Sequence, residues 1–283
     1  MKSIFVILNY NDADTTAKLV NMVAAYHCLE QIIVVDNCSG DDSFAVLSKL
    51  ENEKISVIQA PENGGYAKGN HFGISYGIEH FSPDCIFVAN PDVSVKEDCL
   101  LSIMGAMKTH PQYGVISAIV NQGYNVWNLP GFPGMLESLF LIWFNLDKRN
   151  IKKKLMTSHN ILEKVGVVEG SFFGIRREAY EKCGGFDLRT FLYVEENILA
   201  KRMKEAGYDE GILTSMRYDH FHSVSIKKQY KSRKAKAFPL FYDSMQLYNH
   251  EYLHINAIQD VIFRICFKLA HFERMIYDFV KSK

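Results

Sequence analysis

The feature that most constrains this chain is an alternation in its first 120 residues. Short apolar runs at residues 4–8, 31–35, 55–58, 85–89 and 114–120 are separated by stretches whose apolar residues recur at helical spacing. A compact run with no polar face reads as a strand buried on both sides, and a strand–helix–strand rhythm predicts a parallel sheet covered by helices. Asp12 or Asp14 can cap a helix reaching Tyr26, and Ser39, Asp41 or Asp42 can cap the next, where Phe44, Leu47 and Leu50 share a face. A glycine-rich turn, ENGGYAKGN, leads into a helix ending near Phe81, and a further helix runs from about Lys96 to Thr109. The expected class is α/β, with a mostly parallel, doubly wound sheet.

Open parallel sheets bind ligands at the carboxyl ends of their strands. Here those ends carry Asn9-Tyr10-Asn11, Asp36-Asn37, Asn63-Gly64-Gly65 and Asn90-Pro91-Asp92. A Gly-x-Gly-x-x-Gly turn after the first strand is absent, as is a P-loop, so a bound nucleotide has no glycine cradle at the first turn. Carboxylates beside a phosphate need a divalent cation between them. Asp92, stiffened by Pro91, suits a hard-metal ligand or, equally, a helix-capping turn.

The rest of the chain is less regular. Residues 121–163 hold Pro130, Pro133, an apolar run at 132–146 and a basic patch of Lys148, Arg149, Lys152, Lys153 and Lys154. The apolar run contains Glu137 and falls short of the roughly 20 residues a spanning helix needs, so it is expected to be buried or interfacial. Residues 165–175 read as a strand, 177–182 as a short helix and 195–206 as a helix stopped by Gly207. From Tyr230 the pattern is helical, with Leu240, Leu247, Ile258, Ile262, Ile265, Leu269 and Ile276 marking one or two amphipathic helices.

Composition excludes several classes. Lys plus Arg equals Asp plus Glu at 32 each, which argues against a dedicated nucleic-acid binder. The six cysteines form no Cys-x-x-Cys pair and mostly lie in or beside apolar runs, as small core residues of a reducing compartment do. The N-terminal apolar run is too short for a signal-peptide core, so the expected location is cytoplasmic.

Six ordered segments together resemble family 2 of the nucleotide-sugar glycosyltransferases, with the A-type fold. FVILNYN resembles the opening strand, VVDNCSGDDS the Val-Asp-Asn-x-Ser-x-Asp segment, and ENGGYAKGNHFGI the Glu-Asn-x-Gly block. ANPDV resembles an Asn-Pro-Asp form of the Asp-x-Asp metal motif. The block from Val168 through FLYVEE to Gly207-Tyr208 resembles the acceptor side, and HFHSVS the late His…Ser element. The subgroup is similar to bacterial rhamnosyl- and related transferases of surface polysaccharide.

This resemblance implies a catalytic domain over 1–225, with a nucleotide half (1–120) and an acceptor half (121–225), followed by a helical extension at 226–283. It implies that Asn9 and Asp36 meet the base and ribose, that Asn63, Tyr66, Asn70 and Asn90 line the donor side, and that Asp92 and His220 hold Mg²⁺ or Mn²⁺. His222 rivals His220. Glu195 and Glu196 stand at the family's Glu-Asp, which places Glu196 at the base position of an inverting transfer. The implied donor is a nucleoside diphosphate sugar, UDP- or dTDP-linked, and the implied acceptor a glycan or lipid-linked glycan. The apolar run and the cations Lys227, Lys228, Lys231, Arg233, Lys234 and Lys236 suit a cytoplasmic membrane surface or, equally, a solvated helix.

A different class is written into residues 250–254. His250-Glu251-Tyr252-Leu253-His254 is a His-Glu-x-x-His sequence, with Glu273 at a third-ligand spacing, as in zinc peptidases. Another reading is a module that binds sugar nucleotide without turnover, prompted by Asn90 and Ile198 standing where acids are common.

Overall fold

The computed structural model describes residues 1–122, 124–221 and 238–281. The first half runs β1 (Ser3–Asn9), α1 (Ala13–Ala24), β2 (Gln31–Asp36), α2 (Ser43–Leu47), β3 (Ile55–Gln59), α3 (Gly65–Phe81) and β4 (Cys85–Ala89). There follow β5 (Val93–Val95), α4 (Glu97–Thr109), β6 (Tyr113–Val120), β7 (Val126–Trp127), α5 (Phe132–Leu139), α6 (Leu141–Thr157), β8 (Leu162–Val165) and β9 (Val167–Val168). The chain continues through β10 (Phe172–Arg176), α7 (Arg177–Cys183), α8 (Glu195–Glu205) and β11 (Asp209–His220), and then α9 (Tyr242–Leu247) and α10 (Ala257–Lys281).

Nine strands among the described residues form one sheet in the order β3-β2-β1-β4-β10-β6-β11-β5, with β8 also paired to β11. The β3-β2-β1-β4 half is parallel, as the alternation predicts. The other half is mixed, because β10 runs antiparallel to both β4 and β6, and β5 and β8 run antiparallel to β11. Two apolar layers cover the sheet, one built around Phe5, Phe87 and Phe172, the other around Ile33, Val88 and Phe173. On α3, Gly69, Gly73 and Gly77 recur every fourth residue against β1 and β2. A Cβ at each would fall 2.5, 2.5 and 2.3 Å from Leu8, Val35 and Ile4 respectively, so this stripe lets the helix sit directly on the sheet.

Several sequence expectations need correction. The reading of 165–175 as one strand fails, since the chain breaks into β8, β9 and β10. Gly166 passes so close to β7 that a Cβ would lie 2.1 Å from the Leu129 nitrogen. The three-residue β5 was not legible as a strand, because Val93-Ser94-Val95 is too short to show a period. The apolar run at 132–146 divides at Phe140 between α5 and α6. Only α5 contributes fully buried residues to the described core, Met135 and Leu139.

The C-terminal helix departs most. Phe263, Phe267 and Ala270 of α10 pack inward against Met135, Leu139, Val194, Ile198 and Tyr248. The aliphatic positions that marked the helix in the sequence, Ile258, Ile262, Ile265, Leu269 and Ile276, all face outward. The helix is apolar on two faces, and the tertiary contacts chose the aromatic one. Among the described residues no helix is long and apolar enough to cross a membrane. The basic run at 227–236, together with His222 and Ser225, lies outside the described residues.

Candidate active site

The carboxyl ends of β1 and β2 meet in a closed polar cluster. Asn9 and Asp36 are register partners and fully buried. The Asn9 amide nitrogen donates to Asp36 Oδ1 at 2.9 Å, and Thr16 Oγ1 donates to Asn9 Oδ1 at 2.8 Å. Asp36 Oδ2 receives the Ser39 N–H at 3.0 Å and Gln59 Nε2 at 3.3 Å. These internal bonds orient the carboxylate, and Oδ1, with one donor, keeps further acceptor capacity. Beside it, Asn37 Nδ2 donates to Asn63 Oδ1 at 2.9 Å, and the Gly65 N–H donates to the same oxygen at 3.2 Å. Asn63 thus shapes the glycine-rich turn. Asn70 is buried, donates to the Tyr66 carbonyl, and leaves Oδ1 without a hydrogen-bond donor.

The glycine turn then meets the acceptor-side loop. Gly65 has φ +77°, and a Cβ there would sit 1.8 Å from the Phe191 carbonyl oxygen, so the position admits only glycine. The Tyr66 N–H donates to that same carbonyl at 2.9 Å. The loop it touches is strained, because Tyr193 and Val194 both have positive φ, at 70° and 69°. A β-branched residue in the left-handed region persists only where its surroundings over-determine it. Here Tyr193 stacks on Phe241 at 3.8 Å, and Ser244 Oγ donates to the Leu192 carbonyl. The residues after the catalytic block therefore hold the loop that opens α8.

Residues 170 and 171 are the meeting point. The Gly170 N–H donates to Glu196 Oε1 at 3.2 Å, and Tyr66 OH donates to the Gly170 carbonyl at 2.5 Å. A Cβ on Gly170 would lie 2.8 Å from Tyr66 OH and 3.1 Å from Glu196 Oε1. The Asn90 N–H donates to the Ser171 carbonyl at 2.9 Å, and Ser171 Oγ bonds Tyr218 OH at 2.7 Å. Strands β4, β10 and β11 and helices α3 and α8 thereby converge on one dipeptide.

The two glutamates of α8 part company. Consecutive helix residues point about 100° apart. Glu195 is buried, with Oε2 lacking any hydrogen-bond partner, whereas Glu196 is half-buried beside Gly170. Burial pushes both carboxyls above the usual range, and at Glu195 the neighbouring Glu196 charge adds to the rise. Among the described residues no donor holds Glu196 Oε2, which leaves that oxygen open to a hydroxyl. The Tyr66 phenol is raised in turn, by burial first and by Glu196 next.

Asp92 and His220, far apart in sequence, come together where β5 pairs with β11. Asp92 Oδ1 lies 3.3 Å from His220 Nε2, both side chains largely buried. His220 is held from behind by its N–H to Gln122 Oε1 at 2.9 Å. Two donors at this separation fit neighbouring ligands of a six-coordinate ion, which stand roughly 3 Å apart when each is about 2.1 Å from the metal. One carboxylate with one imidazole suits Mn²⁺ better than Mg²⁺, which prefers oxygen throughout. Among the described residues no group of three or more His, Cys, Asp or Glu side chains is placed to hold an ion.

The zinc-peptidase arrangement is not assembled. The helical turn holding His250 and Glu251 ends at Tyr252, and His254 lies beyond it with φ +51°. His250 bonds Asp260, Glu251 pairs with Arg189, and Glu273 accepts the Leu141 N–H. Each residue of that motif is engaged separately, so the two imidazoles share no helix face.

Sequence reasoning missed Glu210. This buried carboxyl on β11 accepts the Val168 N–H at 2.7 Å and is pushed up to about 8 by burial, with the Glu196 charge adding to it. Its only sequence signal is an acid directly before the short apolar run Gly211-Ile212-Leu213. The folded value stands above the roughly 4.3 of an unfolded glutamate. The group therefore contributes its full share of stability below about pH 4.3 and loses it as pH rises toward 8. Glu210→Gln keeps the acceptor oxygen without the charge. Thermal melts are expected to show the variant matching wild type at about pH 4 and exceeding it by roughly 4 kcal/mol at pH 8; equal melts at both pH values would reject the assignment.

Comparison with known proteins bears on the family and the fold. The family model Glycosyl transferase family 2 matches residues 4–184. The chain is 25% identical over 194 residues to the low-salt glycan biosynthesis hexosyltransferase Agl10 of Haloferax volcanii, covering 68% of this chain and 58% of that protein. It is 23% identical over 210 residues to the rhamnosyltransferase WbbL of Escherichia coli, covering 71% of this chain and 76% of the other. Against Agl10 it therefore spans little more than half of the relative's length. Among solved structures, the mannosyltransferase PcManGT of Pyrobaculum calidifontis, in complex with GDP-Man and Mn²⁺, superposes with a TM-score of 0.59 at 13% identity. That match covers 95% of this chain and 72% of the other. S. aureus TarS 1–349 with UDP-GlcNAc superposes at 0.51 and 14% identity, covering 86% and 67%. At these identities the superpositions establish the shared fold.

Proposed function

This chain belongs to glycosyl transferase family 2, and on that premise we propose that it transfers a sugar from a nucleoside diphosphate donor to a glycan hydroxyl, with inversion at the anomeric carbon. The observation that supports this reading is the convergence on residues 170–171. The dipeptide joins Glu196, Tyr66, Asn90 and, through Tyr218, the strand bearing His220.

The residues divide the work as follows. Asp36, oriented by Asn9, receives the ribose or base on the nucleotide side, while Asn63, Tyr66 and Asn70 build the wall that follows it. Asp92 and His220 hold a divalent ion, of which Mn²⁺ fits the donor set. When bound, that ion offsets charge developing on the leaving diphosphate. Glu196 Oε2 takes the acceptor hydroxyl's proton as the hydroxyl oxygen bonds to the anomeric carbon. The bond from that carbon to the diphosphate oxygen breaks with its electron pair, and the nucleoside diphosphate leaves. A base that must be ionised, yet whose carboxyl is raised by burial, gives the rate an acid limb above the range of a free glutamate. UDP and dTDP are the proposed donor nucleotides and a lipid-linked surface glycan the proposed acceptor.

Calorimetric titration with UDP, dTDP and GDP, with and without Mn²⁺, tests the reading. One nucleotide is expected to bind in the micromolar range, tightened by Mn²⁺. Asp92→Asn is expected to reduce the Mn²⁺-dependent part by about tenfold or more and leave metal-free binding alone. A variant that responds to Mn²⁺ as wild type does would remove Asp92 from the metal site. Absence of nucleotide binding altogether would overturn the transferase reading.

A further inference from the structure

The outward face of α10 has no use in the site just described. Val261, Ile265, Leu269, Phe272, Ile276 and Phe279 are each between 50% and 62% exposed. At 100° per residue they fall within an arc of about 80° and extend for about 27 Å along the helix. Their exposed surface is on the order of 600 Å², at the upper end of what a free monomer shows. The opposite face of the same helix is spent on the core, so no rotation of α10 hides the aliphatic stripe without exposing Phe263 and Phe267.

The patch continues onto α6. Glu273 accepts the Leu141 N–H at 3.0 Å and ties the start of α6 to α10. A groove between the two helices is lined by Leu141, Ile142, Ile276, Tyr277 and Val280, with Asn145 and Glu273 as its polar members. Ile142 and Trp143 stand 68% and 57% exposed at its edge. Further along α6, Arg149 and Lys153 follow Ile142 and Leu146 at helical spacing, so one stripe passes from apolar to cationic. On α10, Lys268 borders the apolar arc. Among the described residues no acid pairs with Arg149, Lys153 or Lys268, while Asp260 is taken by Arg264 and His250.

We propose that α10 and the first turns of α6 form a docking surface for an anionic lipid bilayer, with both helices lying in the plane of the interface. Apolar side chains enter the acyl boundary and the rim cations meet head-group phosphates, the arrangement an interfacial helix requires. A second copy of the chain is the other apolar occupant to weigh. An isologous contact brings the same patch from both subunits together, setting cation rim against cation rim. An anionic membrane complements both the apolar face and its border. This inference does not depend on the transferase reading, since none of these residues is placed in that site.

The test is vesicle flotation of the full chain, using phosphatidylcholine alone and phosphatidylcholine doped with phosphatidylglycerol. The chain is expected to float with the anionic vesicles, to release as salt rises, and to bind pure phosphatidylcholine about tenfold more weakly. Acyl-chain bromolipids should quench tryptophan fluorescence, and Trp143→Phe should remove that quenching. The combined variant Ile265→Ser, Leu269→Ser, Phe272→Ser should lose binding by at least about tenfold. These positions are exposed, so its melting temperature and circular dichroism should stay those of wild type. If that variant nonetheless unfolds, Arg149→Glu with Lys268→Glu supplies the reading through loss of the anionic preference alone. Failure of wild type to float, flotation that ignores both sets of substitutions, or a dimer that the serine variant dissociates in sedimentation would each overturn the proposal.

Discussion

Replacing Glu196 with Gln is expected to lower the rate of sugar transfer about a thousandfold while the nucleotide Kd stays near that of wild type. The amide removes the proton acceptor and keeps the oxygen that receives the Gly170 N–H, so residues 170–171 stay in place. Burial already disfavours the charged form of this side chain. The neutral variant is therefore expected to melt no lower than wild type near neutral pH, which separates loss of chemistry from loss of fold. Wild-type log kcat should rise with pH through the carboxyl's titration and level off above it. Single-turnover assays across pH, run beside nucleotide titrations, measure both. Full activity in Glu196→Gln would sink the base assignment, and a parallel loss of nucleotide binding would recast the residue as part of the donor pocket.

The largest effect on stability is expected at Asp187, in the Gly-Gly-Phe-Asp turn. Its side chain is 4% exposed. It accepts from the Arg189 N–H and guanidinium and from Tyr252 OH at 2.6 Å, with Arg202 3.5 Å away. Burial opposes its ionisation, and the hydrogen bonds from Arg189 and Tyr252 outweigh that opposition, holding the carboxyl well below the usual carboxylate range. The contribution is present above the unfolded value of about 3.9 and disappears as pH falls through the folded one. Arg189 is more than half exposed, so solvent screens its share, and the buried contacts to Tyr252 and the backbone carry more of the effect. Asp187→Ala is expected to cost about 3 kcal/mol at pH 7 in urea denaturation, and the gap to wild type should close below about pH 4. A variant within about 0.5 kcal/mol of wild type would show the network to be surface ornament. Tyr252 precedes α10, so the same substitution loosens the tie between the C-terminal elements and the loop that opens α8.

The legible part of this molecule is the part governed by local periodicity. Runs with no polar face can only be strands covered on both sides, and four of them pair in parallel as the alternation requires. Gly64 and Gly65 were readable as a turn, and Gly65, pressed against the Phe191 carbonyl, shows why no other residue serves there; Gly69, read as part of the same turn, lies instead within α3 against Leu8. The polar residues at the strand ends were readable as a cluster, and Asn9, Asp36, Asn37 and Asn63 do meet there through their own hydrogen bonds. What periodicity could not convey is direction and partner. The antiparallel entry of β10 between β4 and β6 depends on pairing with residues far along the chain, such as Phe172 with Ala89 and Gly174 with Ile116, for which the local pattern of Phe172–Arg176 carries no sign. Asp92 meets His220 only because β5, too short to show a period, pairs with the end of β11.

The sequence by itself determined the parallel half of the sheet, the helix boundaries that glycine and proline enforce, and the set of residue types available for chemistry. Each of these follows from steric and burial preferences acting within one or two turns of chain. Only the tertiary structure decided which of two adjacent glutamates faces the site, because that depends on where α8 lies against residues 170–171. It also decided which of the two apolar faces of α10 joins the core: periodicity reports both equally, and only packing against α5 and α8 distinguishes the face of Phe263, Phe267 and Ala270, now buried, from the one carrying Ile265, Leu269 and Phe272 left to the outside.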